Sequence, residues 1–261
     1  MTTFCLAVPH TPWVTERARS VERLVPILDE RHRLFTERAP NWDWSRKMWR
    51  WMADQAADYA VQLQDDVIPA PHFWPALEAM CEATNAPAIG LHAGHPAGPA
   101  LAAQGARWYR TRSWVVGVGY VLRGDIACAL ADYRDEHEAE ARQCNEDDFI
   151  GKFLAARGID VWHPIPSIIG HDVSVPSTYG NDSHPNRRPS VLWHDYDAKA
   201  MQRRDFWRVD TPPVMLASPY STLCGHCGGG DVVARAGLPV CRMCLVRLMA
   251  SAVGLQTEAR A

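Results

Sequence analysis

The chain has 261 residues, 47% of them apolar, and a net charge of −3 at pH 7. That length suits one large domain, or one domain with a small module, and the apolar content excludes wholesale disorder. The slight acidity excludes a strongly basic nucleic-acid binder and leaves room for a local basic face.

Thr2 to Val8 reads as a buried first strand closed by Pro9, without a charged leader, so no signal peptide is expected. No apolar run reaches the length of a membrane span, and a cytoplasmic location is expected (the host cytoplasm for a viral protein). Glu16 to Arg38 is charged and helix-prone, interrupted by Pro26. Trp42 to Ala57 follows as a helix, with Met48, Trp51 and Met52 near helical spacing. Tyr59 to Leu63 is a short strand, and Phe73 to Ala83 a helix that tolerates Pro75 in its first turn. Ala88 to His92 is a strand leading into a Gly- and Pro-rich loop over residues 92–99. Trp114 to Leu122 is strand-like, Asp125 to Tyr133 helical, and Asp147 to Arg157 a helix stopped by Gly158. Ile159 to Trp162 is a further strand, and Asn181 to Ser190 an exposed connector. Strands alternating with helices imply an α/β layered fold.

Asp65 and Asp66 stand side by side where the Tyr59–Leu63 strand ends, just ahead of Pro69 and Pro71. That places them on a loop at the carboxyl edge of a strand, where open α/β sheets bind ligands. Adjacent carboxylates repel unless a cation lies between them, and their oxygens suit Mg²⁺ or Mn²⁺. A solvated turn is the alternative for the pair taken alone.

Cys224 and Cys227 form one CxxC pair, and Cys241 and Cys244 a second, with 13 residues between the pairs. Four thiolates from two knuckles close a tetrahedral Zn²⁺ site with no open position, so this zinc is expected to be structural. Redox thiols are the alternative. The remaining cysteines, Cys5, Cys81, Cys128 and Cys144, read as small core residues.

Glu146, Asp147 and Asp148 open the late helix. Acids there complement the helix dipole, which accounts for one or two of the three. Asp147 shares a face with Ile150 and Leu154, so a carboxylate turned towards the protein can serve as a general base. His171 lies beyond the next strand in a loop rich in Gly and Pro, where function is commoner than in a core; taken alone, an ordinary polar residue is the alternative.

The order of these features resembles the GT-A class of nucleotide-sugar glycosyltransferases, especially the small bacteriophage and bacterial forms. It comprises Val8-Pro9, Leu63 to Asp66, Trp114 to Val121, Glu146 to Asp148, and Pro166-Ser167 with His171 and Ser174. The resemblance covers residues 1–195 and implies a mixed sheet flanked by helices. Residues 196–215 would then be a connector and 216–261 a zinc ribbon. It implies a nucleotide-sugar donor, a UDP-sugar above others, and a catalytic Mn²⁺ or Mg²⁺. Asp66 would bind that ion, Asp65 would assist it or touch the ribose, and His171 would complete its shell. Val8 and Pro9 would border the donor, and Arg17 or Arg19 would meet its diphosphate, an ordinary surface arginine being the alternative. Asp147, with Asp148 next, would be the base of an inverting reaction. The family's acids flank one variable residue, whereas Gln64-Asp65-Asp66 places them in tandem.

A second reading is a non-catalytic zinc-ribbon nucleic-acid binder with a degenerate α/β domain. Arg187, Arg188, Lys199, Arg203, Arg204, Arg208, Arg235, Arg242 and Arg247, with Trp193 and Trp207, would contact phosphates and stack bases, a solvated basic face offsetting an acidic N-terminal domain being the alternative. The two readings merge in a transferase acting on a hydroxylated base, such as a hydroxymethyl-pyrimidine, in phage DNA.

Overall fold

The computed structural model describes residues 2–36, 41–112, 117–176 and 191–216, and the backbone of 232–235 and 238–241. In chain order the elements are β1 (Phe4–Pro9), α1 (Thr15–Leu28), β2 (His32–Phe35), α2 (Asn41–Asp54), β3 (Tyr59–Leu63), β4 (Val67–Pro69) and α3 (Phe73–Thr84). Then come β5 (Ala88–Gly90), α4 (Gly98–Ala103), β6 (Trp108–Arg112), β7 (Gly119–Arg123), α5 (Gly124–Glu136), α6 (Glu138–Ala141) and α7 (Glu146–Ala156). The last are β8 (Asp160–Pro164), β9 (Ile169–His171), α8 (Ala198–Met201), β10 (Val214–Leu216), β11 (Val232–Arg235) and β12 (Leu238–Cys241).

Eight strands form one mixed sheet in the order β10-β6-β8-β5-β7-β3-β1-β2. β2, β1 and β3 pair in parallel. β7 runs antiparallel to both β3 and β5, and β5 is parallel to β8. β1, β2, β3, β5 and β8 therefore point the same way and end at one edge. The start of β7 meets that edge too.

Period-two alternation in β1 explains the layers. Phe4, Leu6 and Val8 join one apolar cluster with Leu24 and Leu28 of α1 and Leu77 and Met80 of α3. Cys5 and Ala7 face the other, with Met48, Trp49 and Met52 of α2, Leu130 of α5, and Phe149 and Phe153 of α7. The sheet is thus sandwiched between two helical layers, and both faces are apolar because both are covered.

The helix-prone stretch Glu16–Arg38, expected to be interrupted at Pro26, is helical through Pro26 and stops at Leu28. Asp29 turns left-handed at φ 54°, and His32 to Phe35 form β2 at the sheet edge. Edge pairing with β1 overrides the helical propensity of these charged residues. The strand expected from Trp114 is described from Gly119; residues 113–116 and the 181–190 connector lie outside the described residues.

Residues within the 196–215 stretch, expected as a connector, pack with the sheet domain. Met201 and Trp207 are wholly buried in the α1–α3 layer, and β10 pairs in parallel with β6. The Trp108 indole donates to the carbonyl of Trp207 at 2.9 Å. Trp207 is therefore a core residue and offers no face to a base. Trp193 is half-buried against the same layer. Arg203, Arg204 and Arg208 pair with Asp205, Glu82 and Asp210. In the tail, β11 and β12 form an antiparallel hairpin with Cys241 at its end. Cys224, Cys227 and Cys244, like Arg187, Arg188, Arg242 and Arg247, lie outside the described residues. No described helix is long and apolar enough to cross a membrane. Cys5 and Cys81 are buried as expected, but Cys128 is exposed and Cys144 half-buried.

Candidate active site

The candidate site is assembled at the edge where the five co-directional strands end. β3 is buried throughout, between β1 and β7. Its chain leaves the sheet through Gln64, whose amide donates to the Val118 carbonyl at 3.0 Å. Asp65 and Asp66 follow in the turn before β4. Both lie on the expected loop at the strand's carboxyl edge, but it is not the solvated turn of the alternative reading: each is only 1% exposed. They are buried because other elements close over them.

Arg17, on the first turns of α1, bridges the pair. Its Nη1 donates to Asp65 Oδ1, and its Nη2 to Asp66 Oδ2 at 2.9 Å. Two unit charges about 4 Å apart repel by about 4 kcal/mol at an effective dielectric near 20, so an adjacent buried pair needs such a cation. Asp65 Oδ2 also accepts from the Thr11 amide at 2.8 Å and lies 3.3 Å from His10 Nδ1. The segment after β1 is thereby tied to the acids. Arg19, the other candidate for a diphosphate, is exposed.

Asp66 is held from a second side. β4 pairs antiparallel with β9, with Val67 opposite His171. That register brings His171 Nε2 to 3.0 Å from Asp66 Oδ2. The Asp172 amide donates to the Asp66 carbonyl at 2.7 Å, and Arg23 reaches Asp172 Oδ2 at 2.6 Å. Ser174 donates to the other oxygen of Asp172 through both its amide and its hydroxyl, so it supports the loop and not the acid pair.

The opposite wall is the start of α7. Glu146 accepts from the Trp49 indole and from Arg134 Nη2, each at 2.6 Å, and from the Ser45 hydroxyl. These bonds pin the first turn. Asp147 is half-buried, and burial, reinforced by Asp148 and Glu146, pushes its carboxyl up to about 6. Asp148 points to solvent. A methyl placed on Gly117 would lie 3.4 Å from both Asp147 Oδ2 and Gln64 Nε2. Asp147 therefore stands beside the turn that carries the acid pair, separated from Gln64 by a residue without a side chain.

Of the predicted donor residues, Val8 has its side chain wholly inside the core, so only its backbone is available. Pro9 is half-buried at the strand end. His10, Thr11 and His92 were not singled out in the sequence. His92 follows β5 and is 0% exposed, and neither ring nitrogen has a hydrogen-bond partner among the described residues. Burial, aided by the nearby His171, lowers its pKa to about 3, so it is a neutral imidazole. The signal that marks these residues is position: each follows a buried parallel strand at the same edge.

Among the described residues no three His, Cys, Asp or Glu side chains converge into a complete metal cage. The donor set fits a different case. Mg²⁺ and Mn²⁺ carried by a phosphate ligand need only one or two protein ligands, and Asp66 with His171 offers a carboxylate and an imidazole in contact.

No protein-family model matches the chain, and no curated protein does. Among solved structures, the crystal structure of mannose-1-phosphate geranyltransferase from Thermus thermophilus is similar over 63% of this chain and 74% of that one, with 11% identity and a TM-score of 0.31.

Proposed function

We propose that this chain is a metal-dependent glycosyltransferase of GT-A type that moves a sugar from a nucleotide-diphosphate donor to an acceptor hydroxyl. One observation carries the reading. A buried acid pair at the carboxyl edge of the central strand follows Gln64, and across Gly117 from Gln64 stands a half-buried carboxyl whose pKa is raised to about 6. A purely structural turn needs neither.

Asp66 and His171 would hold the ion, with Asp65 supporting it or meeting the ribose. Bound there, the ion would neutralise charge on the leaving diphosphate. The backbone after Val8 and Pro9 would border the donor, and Arg17 would meet the diphosphate. Asp147 would take the proton from the acceptor hydroxyl, and the inverting course follows if that hydroxyl attacks from the far side of the sugar. Asp148 is the less suitable base because it is exposed. Structural Zn²⁺ on Cys224, Cys227, Cys241 and Cys244, and a hydroxylated DNA base as acceptor, belong to the same proposal and rest on the sequence alone.

The test is nucleotide release from a panel of UDP-, GDP- and dTDP-sugars, with and without Mn²⁺. One donor should be hydrolysed slowly without acceptor in Mn²⁺, and Asp66→Asn should abolish this. Release that ignores Mn²⁺ and survives Asp66→Asn would rule the reading out.

A further inference from the structure

Resting on that reading, we propose that Arg17 is an exchangeable counter-ion. It neutralises Asp66 while no donor is bound, yields that carboxylate to a divalent ion arriving with the donor, and turns its freed N–H to the diphosphate.

One atom is shared by both cations. Asp66 Oδ2 accepts from Arg17 Nη2 at 2.9 Å and faces His171 Nε2 at 3.0 Å. An ion held by Asp66 and His171 must approach the oxygen that the guanidinium already neutralises. Two cations at one carboxylate oxygen repel, so the guanidinium competes with the ion.

The two ends of the bridge are anchored unequally. Asp65 is fixed by the Thr11 amide at 2.8 Å and by His10 at 3.3 Å, in addition to Arg17 Nη1. Nη2 also donates to the Pro176 carbonyl at 3.2 Å, so when the Asp66 bond opens the guanidinium stays tethered at Asp65 and at Pro176 and one Nη2 N–H is freed. Arg17 is 6% exposed, and its Nε has no hydrogen-bond partner among the described residues. A buried guanidinium with an unused donor is a site prepared for a further acceptor. Nε and the released Nη2 would then supply two donors to an anionic oxygen, in the fork geometry that suits phosphate. Charge follows the same course. The two carboxylates and the guanidinium carry one net negative charge without the ion and one net positive charge with it. The acid pair with its guanidinium thus favours an anionic diphosphate more once the ion is present.

The experiment titrates Mn²⁺ alone, without any nucleotide, into the full chain, with free Mn²⁺ followed by electron paramagnetic resonance. The parent should bind weakly. Arg17→Gln should bind about tenfold more tightly or better, because the competing charged hydrogen bond is gone. Arg17→Lys keeps a charge but cannot bridge both carboxylates, so it should fall between them; it also serves should Arg17→Gln fail to fold. Asp66→Asn is the control. If it loses Mn²⁺ binding while both Arg17 variants bind like the parent or more weakly, the metal reading stands and the exchange is overturned. If it binds as the parent does, or if no form binds, the ion is not held at Asp66 and both are overturned.

Discussion

The indole of Trp49 donates to the carboxylate of Glu146 at 2.6 Å, so helix α2 holds the first turn of helix α7 from across the layer. Arg134, 3% exposed, reaches the same carboxylate at 2.6 Å. Glu146 is therefore an anchor, and its neighbour Asp147 is oriented by it.

Glu146→Ala should cost about 3–5 kcal/mol, because it leaves a buried guanidinium without its charge partner. Urea unfolding of the variant measures this. Transfer should also fall, since Asp147 loses its fixed turn. A loss below about 1 kcal/mol, the scale of an exposed pair, would show that Arg134 and Trp49 find other partners.

Asp147 gives a pH dependence with a defined sign. Its carboxyl must be ionised to accept a proton, so transfer should rise with pH and level off above about 6. Asp147→Asn should keep donor binding and lose transfer. Stability moves the other way. A carboxyl whose folded pKa is raised contributes stability below its unfolded value, and this is lost as pH rises towards about 6. At pH 7 Asp147→Asn should thus be more stable than the parent, by on the order of 1 kcal/mol given the partial exposure of the group. Thermal unfolding of both proteins at pH 4 and pH 7 checks this: the gap should shrink at the lower pH.

Trp207 tests whether residues 196–215 belong to the sheet domain. It is wholly buried, and its indole donates to the Met201 carbonyl at 2.7 Å. Trp207→Ala should cost about 3–5 kcal/mol. A connector residue would cost next to nothing.

The sequence showed the central elements because their patterns are local. Val61 and Leu63 before Asp65-Asp66, and Ile150 and Leu154 after Asp147, announce a strand end and a helix face without reference to the rest of the chain. What it concealed depends on pairing between distant segments. β2 looks helical until β1 provides an edge, and β10 spans only Val214–Leu216, so its strand character comes from β6. The burial of Asp65 and Asp66 was illegible for the same reason. Their partners, Arg17 and His171, are remote in sequence, and only the β4–β9 ladder brings His171 to the acids. His92 carried no motif; what marks it is the shared direction of β1, β3 and β5.

The central claim is that Asp66 holds an ion required for a nucleotide-sugar donor. The most direct measurement is the shift in unfolding temperature of the parent and of Asp66→Asn, which keeps shape and removes the charge, with each nucleotide sugar in the presence and absence of Mn²⁺. One donor should stabilise the parent only when Mn²⁺ is present, with no such shift in Asp66→Asn. Stabilisation that is equal with and without Mn²⁺, or equal in the two proteins, would contradict the claim.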